Sequence, residues 1–202
     1  MLFNSAKTRD FVPTLKLDNE DIEVVKELKL LEVLITTDLK WTANTTYITK
    51  RAYNKLWMLR RLKQNGANQL ELKFIYCKHV RSVVEYGAVV WHSGLTSENT
   101  TNIERVQKCA LDIILGKDYQ NYENALSTLQ LEKLCIRREA LCVQFAEKAL
   151  KSEKYSSSWF VPDEKLQNTR QAPNILKPVQ ARTTRFAKSA LPYMTNIINR
   201  KV

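Results

Sequence analysis

The hydrophobic period of the chain changes at Thr42, and this change constrains the fold more than any other feature. In TTYITKRAYNKLWMLRRLKQNG, apolar side chains recur at helical spacing on one stripe: Ile48, Ala52, Leu56, Leu59 and Leu62. The Asn65-Gly66 pair that follows is a natural helix stop. Before Thr42 the apolar residues form short Val/Ile/Leu runs bounded by turn residues, which is typical of strands. The sequence therefore predicts a small β-structure followed by helices.

The first forty residues contain two segments of strand character, DFVPTLKL and IEVVKELKLLEVLIT, separated by the turn residues DNED. We expect two or three strands here. A buried strand is predicted from six aliphatic residues: Leu28, Leu30, Leu31, Val33, Leu34 and Ile35. A sheet this small needs another element to cover its apolar face, so either the helices or a missing neighbour must do so.

Beyond the first helix, the apolar periodicity predicts further helices. One begins near Asn68 and breaks at Gly87, with its apolar face formed by Leu72, Phe74, Ile75, Val80, Val83 and Val84. Others follow in TSENTTNIERVQKCALDIILG, NYENALSTLQL and EKLCIRREALCVQFAEKALKSE. Between residues 155 and 186, three of the five prolines and few aliphatic residues indicate a loosely packed, extended basic tail. The predicted fold is mainly α, with a small N-terminal β-hairpin or sheet (1–41), a helical bundle (42–153) and an extended basic tail with a short helix (154–202).

Composition excludes several classes of function. No apolar run approaches the roughly 18 residues of a membrane span, and no signal peptide is recognisable, so we expect an intracellular protein with nucleus or cytoplasm left open. The four cysteines and two histidines lack zinc-site spacing and are expected to pack as small hydrophobic residues. The chain has no phosphate-binding glycine loop, G-x-S-x-G or H-E-x-x-H motif. An enzyme that uses Cys77 or Cys142 is a weak alternative, since Cys77 and His79 face different directions on a helix.

The net charge of +11 favours an anionic partner, with nucleic acid ahead of an acidic membrane surface or acidic proteins. The first helix carries the clearest candidate surface. At about 100° per residue, its polar side gathers basic and aromatic residues opposite the apolar stripe: Lys50, Tyr53, Trp57, Arg60 and Arg61. The basic groups of such a face can bind a phosphate backbone, and its aromatic rings can stack on bases or wedge beside them. The alternative is that Tyr53 and Trp57 pack under another element while the charges are merely solvated.

Six pieces of sequence, in order and covering nearly the whole chain, carry a family resemblance. They are LFNSAKT (Leu2–Thr8), LEVLITTDLKW (Leu31–Trp41), YCKHVRSVVEYGAVVW (Tyr76–Trp91), IERVQKCALDII (Ile103–Ile114), YENALSTLQLEKLCIRREALCVQFA (Tyr122–Ala146) and RTTRFAKSALPY (Arg182–Tyr193). Together they resemble the C-terminal part of the reverse transcriptase of a non-LTR, LINE-type (jockey-like) retrotransposon. The first piece resembles the family's F-N-x-x-K-T segment, and the second resembles its hairpin L-G-V-x-x-x-x-x-L-x-W.

The resemblance implies a polymerase remnant: the last palm strands, a primer-grip-like hairpin, a helical thumb and a C-terminal extension. The fingers and the carboxylates that bind Mg²⁺ in the intact polymerase would lie upstream of Met1, so no cofactor is expected for this chain. Lys7 would lie near the nucleotide site of an intact enzyme. One departure is Glu32, which stands where the family has glycine and puts a negative charge where a primer phosphate is expected.

The sequence thus predicts a chain that does not polymerise by itself but binds RNA, DNA or an RNA–DNA hybrid through the phosphate backbone, without sequence preference. The residues predicted to make these contacts are Lys7, Trp41, Lys50, Arg51, Tyr53, Trp57, Arg60, Arg61 and Lys63. A rival interpretation is a helical protein-interaction or structural module with no nucleic-acid role, whose partner would be the missing fingers and palm. A large uncovered apolar face on residues 1–40 would favour a chain that needs a partner.

Overall fold

A computed structural model describes residues 16–162 and 176–201. The fold is mainly α, as predicted, with two small antiparallel hairpins before the helices. The strands are β1 Lys16–Leu17, β2 Glu20–Asp21, β3 Glu27–Leu30 and β4 Val33–Thr36. The helices are α1 Thr42–Gln64, α2 Gln69–Ile75, α3 Ser82–Glu85, α4 Ala88–Trp91, α5 Ser97–Leu115, α6 Tyr122–Thr128, α7 Leu134–Lys151, α8 Glu153–Trp159, α9 Thr184–Ala187 and α10 Ala190–Lys201. A π-helical turn at Tyr76–Arg81 joins α2 to α3, and 3₁₀ turns lie at His92–Gly94 and Gly116–Asp118.

The second hairpin overturns the prediction of one buried strand. Strands β3 and β4 pair from Glu27↔Thr36 to Leu30↔Val33, and the chain reverses at Leu31 and Glu32. Both turn residues have positive φ, 47° and 64°, which a two-residue hairpin with right-handed strand twist requires. Of the six aliphatic residues predicted to be buried, Val33 alone is, and Leu31 is 79% exposed at the tip.

Helix α1 extends over the residues that its periodicity predicts. Its stripe of Ile48, Ala52, Leu56 and Leu59 is buried, and Leu62 is half-buried. This stripe packs on α5, on the π-helical turn and on α3, and these elements form the main core. Helices α1 and α5 run in the same direction, since the Asn99 side chain donates to the Thr42 hydroxyl near one end and the Lys63 ammonium donates to the Ile113 carbonyl near the other.

Local chemistry fixes the ends of the next helices. Asn68 caps α2 and forms a capping box with Glu71, in which each side chain accepts a backbone N–H of the other residue. Gly87 breaks the helical path after α3 with φ of 63°, as predicted. The prediction that Phe74 belongs to the apolar face is wrong, because its ring is exposed on the outer side of α2.

Much of the described C-terminal region is packed, which corrects the prediction of a loosely packed extended tail from residue 154, whereas residues 177–188 are mostly exposed. Helix α10 packs on α7, and the segments around Phe160 and Leu176 form an antiparallel bridge, Pro162 to Leu176. A second apolar cluster results, formed by Ala146, Ala149, Phe160, Leu176, Met194 and Ile198. The few apolar residues of this region are enough to form a small core because they converge on one end of α7.

A buried polar cluster lies beside this second core. The Arg138 side chain is fully buried on α7, with its guanidinium 5.8 Å from the Trp91 ring centroid. None of its three nitrogens hydrogen-bonds to another described residue. Burial lowers the pKa of Arg138, and burial together with the Arg138 charge lowers the pKa of the nearby His92 to about 4. The next helical position, Arg137, instead binds Glu85 of α3 with Nε at 2.6 Å.

Candidate nucleic-acid interface

The exposed side of α1 brings together five of the predicted residues, and we call it the basic-aromatic face. Its members are Lys50, Tyr53, Trp57, Arg60 and Arg61, all exposed and opposite the buried stripe. The Trp57 side chain is 61% exposed, and the Arg61 guanidinium lies 5.6 Å from the centre of its ring. Trp57 is therefore not packed under another element. Tyr53 is less exposed because it lies against α5, where it shares a pocket with Arg105.

The cations of this face have no acidic partner in the described part of the chain. Within residues 16–162 and 176–201, no ion pair is formed by Lys50, Arg60 or Arg61. An exposed cation without a counter-charge keeps its full attraction for a phosphate, because no internal ion pair has to break first. The face thus combines three available charges with one ring that a base can stack on.

Arg51 is on α1 but is turned away from the basic-aromatic face. Its Nη1 lies 2.5 Å from Oε2 of Glu32 at the hairpin turn, and Tyr47 donates its hydroxyl to the same oxygen at 2.8 Å. Lys29 lies 3.1 Å from the other carboxylate oxygen. The hydrogen bonds from Tyr47 and Lys29 lower the pKa of Glu32, so the carboxylate stays charged. Arg51 therefore attaches the hairpin to α1.

Lys63 and Trp41 also lie apart from the face. The Lys63 ammonium donates to the Ile113 carbonyl at 2.5 Å and to the Ile114 carbonyl at 3.3 Å, both in the last turn of α5. Trp41 is half-buried, and its indole lies so close to Gly94 that a Cβ there would clash with the ring. The ninth predicted residue, Lys7, lies outside the described residues.

The structure adds one basic residue that the sequence did not single out. Arg105 of α5 lies across from Tyr53 and lines the same pocket between α1 and α5. A helical period places Asn102 and Arg105 on one side of α5, but no signal in the sequence shows that this side adjoins the face of α1.

Other kinds of site find little support in the described residues. No group of three or more His, Cys, Asp or Glu residues among them is placed to hold a metal ion. Within the same ranges, no helix has both the length and the apolar character needed to cross a membrane.

The fold and the site define a mainly helical protein in which a hairpin leads directly into a helix with an exposed basic-aromatic face. Comparison with family models, with curated proteins and with solved structures finds no match to this chain. The assignment of a function therefore depends on the chemistry of the face and on the sequence resemblance.

Proposed function

We propose that this chain is a remnant of a non-LTR retrotransposon reverse transcriptase that binds nucleic acid through its phosphate backbone and does not polymerise alone. The observation that carries the proposal is the exposed Trp57, surrounded on α1 by Lys50, Arg60 and Arg61, none of which has an acidic partner among the described residues. These cations would neutralise phosphates, and Trp57 would stack on a base or wedge beside one. Such contacts carry no sequence preference.

Two further observations support the proposal. The order of a hairpin followed at once by a long basic helix is the order that the resemblance implies for the primer grip and thumb. The formal charge of +11 also favours a polyanionic partner. In this interpretation the ligand is a template–primer duplex of RNA, DNA or both.

The lack of polymerase activity follows from the sequence. Polymerases of this family hold Mg²⁺ with clustered carboxylates, and the chain has no adjacent Asp-Asp pair. Lys7, predicted to lie near the nucleotide in an intact enzyme, would then have no metal-bound triphosphate to assist. The palm and fingers of an intact polymerase would have to supply that chemistry.

The test is fluorescence anisotropy of a labelled RNA–DNA hybrid across a salt series. We expect log Kd to change linearly with log salt, and the slope to fall by roughly 1.4–1.8 when Arg60 and Arg61 are both replaced by Gln, since each phosphate contact contributes about 0.7–0.9. A matched control replaces two exposed lysines elsewhere, Lys26→Gln with Lys177→Gln, and removes the same charge. Equal slopes for the two double variants would refute the proposed contact surface.

A second candidate function is a protein-interaction module, and the hairpins favour it. Six apolar side chains in the hairpins and in the connection between them are exposed: Leu17, Ile22, Val24, Leu28, Leu30 and Leu31. A concentration of exposed apolar residues marks an interaction surface. We propose the fingers and palm of the same polymerase as its partner. Co-purification of this chain with a separately expressed fingers–palm fragment should be abolished by Leu30→Lys with Leu31→Lys, whereas hybrid binding through α1 should persist.

A further inference from the structure

A polar pocket lies between α1 and α5, along the edge of the basic-aromatic face. Its volume is about 270 Å³, and Tyr53 belongs both to the pocket and to the face. The side chains around it are polar: Thr45, Thr46, Thr49, Tyr53, Asn102 and Arg105. Pockets for whole small molecules begin at about 300 Å³, so this one suits a fragment of a larger ligand.

Thr45 is the unusual residue of the pocket. Its side chain is buried, with 1% exposure, yet its Oγ1 has no hydrogen-bond partner in the described structure. The hydroxyl of Thr49, one turn further along α1, is satisfied by the Thr45 carbonyl at 2.7 Å. Leaving a buried hydroxyl without a partner is unfavourable, and most such groups in proteins are paired. Thr45 lines the pocket, and a ligand oxygen that reached its buried hydroxyl would supply the missing partner.

Arg105 supplies the charge of the pocket. One of its Nη atoms donates to Asn102 Oδ1 at 3.1 Å, and no carboxylate in the described ranges pairs with it. No acidic residue lines the pocket. Glu104 adjoins Arg105 in the sequence, but its carboxylate is directed to a different side of α5, where it accepts from the Tyr122 hydroxyl at 2.6 Å and from the Cys135 amide at 2.6 Å. A cation with nearby hydroxyl donors and no opposing carboxylate is an anion site.

We propose that this pocket binds one phosphate, with its attached sugar, of the nucleic-acid strand that lies on the basic-aromatic face. Arg105 would neutralise the phosphate, the Thr45 hydroxyl would donate to one of its oxygens, and Thr46 and Tyr53 would contact the sugar. The proposal rests on the proposed function, because Tyr53 joins the pocket to the stacking residue Trp57. It adds a contact on α5, so the strand is held by two parallel helices.

Two variants test the pocket without removing the face. Thr45→Val keeps the shape and removes the hydroxyl; since the hydroxyl has no partner in the free protein, the melting temperature should stay the same or rise. Hybrid affinity should fall about tenfold, the effect of one hydrogen bond to a charged group. Arg105→Gln should lower the salt slope by about 0.7–0.9. The controls are Thr195→Val, also buried, and Arg185→Gln, also exposed.

A titration of the isotope-labelled chain with adenosine 5′-monophosphate, followed by NMR, shows where the phosphate binds. Shifts at Thr45, Asn102 and Arg105 that are lost in Thr45→Val would support the pocket. If both variants bind the hybrid like wild type while the Arg60 and Arg61 double variant does not, the pocket proposal fails and the proposed function stands. If the folded wild-type chain does not bind the hybrid at low salt, both proposals fail.

Discussion

Lys63 provides a sharp test because it shares a helix with the basic-aromatic face but has a different structural role. Its ammonium binds the carbonyls of Ile113 and Ile114 in the last turn of α5. The last four carbonyls of a helix lack partners within that helix, and a cation there also interacts favourably with the helix dipole. Lys63→Met removes the charge and keeps most of the apolar stem. We therefore expect this variant to affect folding and to leave hybrid binding unchanged.

The magnitude follows from the geometry. The contact at 2.5 Å is a charge-assisted hydrogen bond, and the contact at 3.3 Å is weaker. Because Lys63 is half-buried, solvent screens the pair in part, and a loss of about 1–2 kcal/mol in the free energy of unfolding is expected. For a chain of this size, 1 kcal/mol corresponds to roughly 2–4 °C. The melting temperature should therefore fall by about 2–8 °C.

The assay pairs thermal unfolding, followed by circular dichroism, with the salt series of hybrid binding. Lys50→Met is the matched control, since Lys50 is exposed on the same helix and forms no ion pair in the described ranges. We expect Lys50→Met to leave the melting temperature nearly unchanged and to lower the salt slope. A Lys63→Met variant with normal stability and a reduced slope would refute the reasoning, because it would mean that Lys63 contacts the nucleic acid rather than α5.

Three other substitutions give distinct expectations. Trp57→Ala should weaken hybrid binding by about 5- to 100-fold, the loss of stacking on one base, with little change in melting temperature because the ring is exposed. Arg138→Met should leave the free energy of unfolding, measured by urea titration, unchanged or higher, since it removes a buried charge without hydrogen-bond partners among the described residues; a loss above about 1 kcal/mol would show that the charge is stabilised. The pKa of His92 is about 4 when folded, against an ordinary value of 6.5, so the unfolded chain binds the extra proton first and stability should fall as pH drops from 6.5 to 4. His92→Gln should flatten this part of the pH profile of stability, and an identical profile would contradict the lowered pKa.

The helical part of the fold was predictable because its signals are local. The stripe from Ile48 to Leu59 has the helical period, and Gly66, Gly87 and Gly116 mark breaks that the structure confirms. The second hairpin was not predictable in the same way. Its turn residues, Leu31 and Glu32, are not the Asn and Gly that normally mark a two-residue turn, so the run has the sequence pattern of one continuous strand.

The packing of the C-terminal region was also hidden from the sequence. Met194 and Ile198 of α10 lie on one side of a short helix and meet Ala146 and Ala149 of α7 only in the folded chain. A Pro-containing segment with few apolar residues predicts a loose tail. In the folded chain, however, these apolar residues meet those of α7 and form a small core. This is a tertiary effect that local composition does not encode.

The same distinction applies to the candidate site. Helical geometry alone predicts that Lys50, Trp57 and Arg61 share a face, because all three lie on one element. It does not reveal that Arg51 and Lys63 are engaged, since their partners come from the hairpin and from α5. Nor does it reveal the pocket, which exists only where α1 and α5 lie side by side.

The contacts around Glu32 make the position of the hairpin sensitive to ionic strength. The tip is held by an exposed carboxylate that binds Lys29, Tyr47 and Arg51, whereas strand β4 is held by the Leu34 amide, which donates to Asn44 Oδ1 at 3.0 Å. Salt screens the first set of contacts and hardly affects the second. We therefore expect high salt to loosen the contacts at the tip, where the exposed Leu30 and Leu31 lie, and to leave the hydrogen bond between β4 and α1 in place. Ionic strength would thus act on two surfaces at once, weakening the proposed phosphate binding on α1 while loosening the apolar tip that is the proposed protein-binding surface.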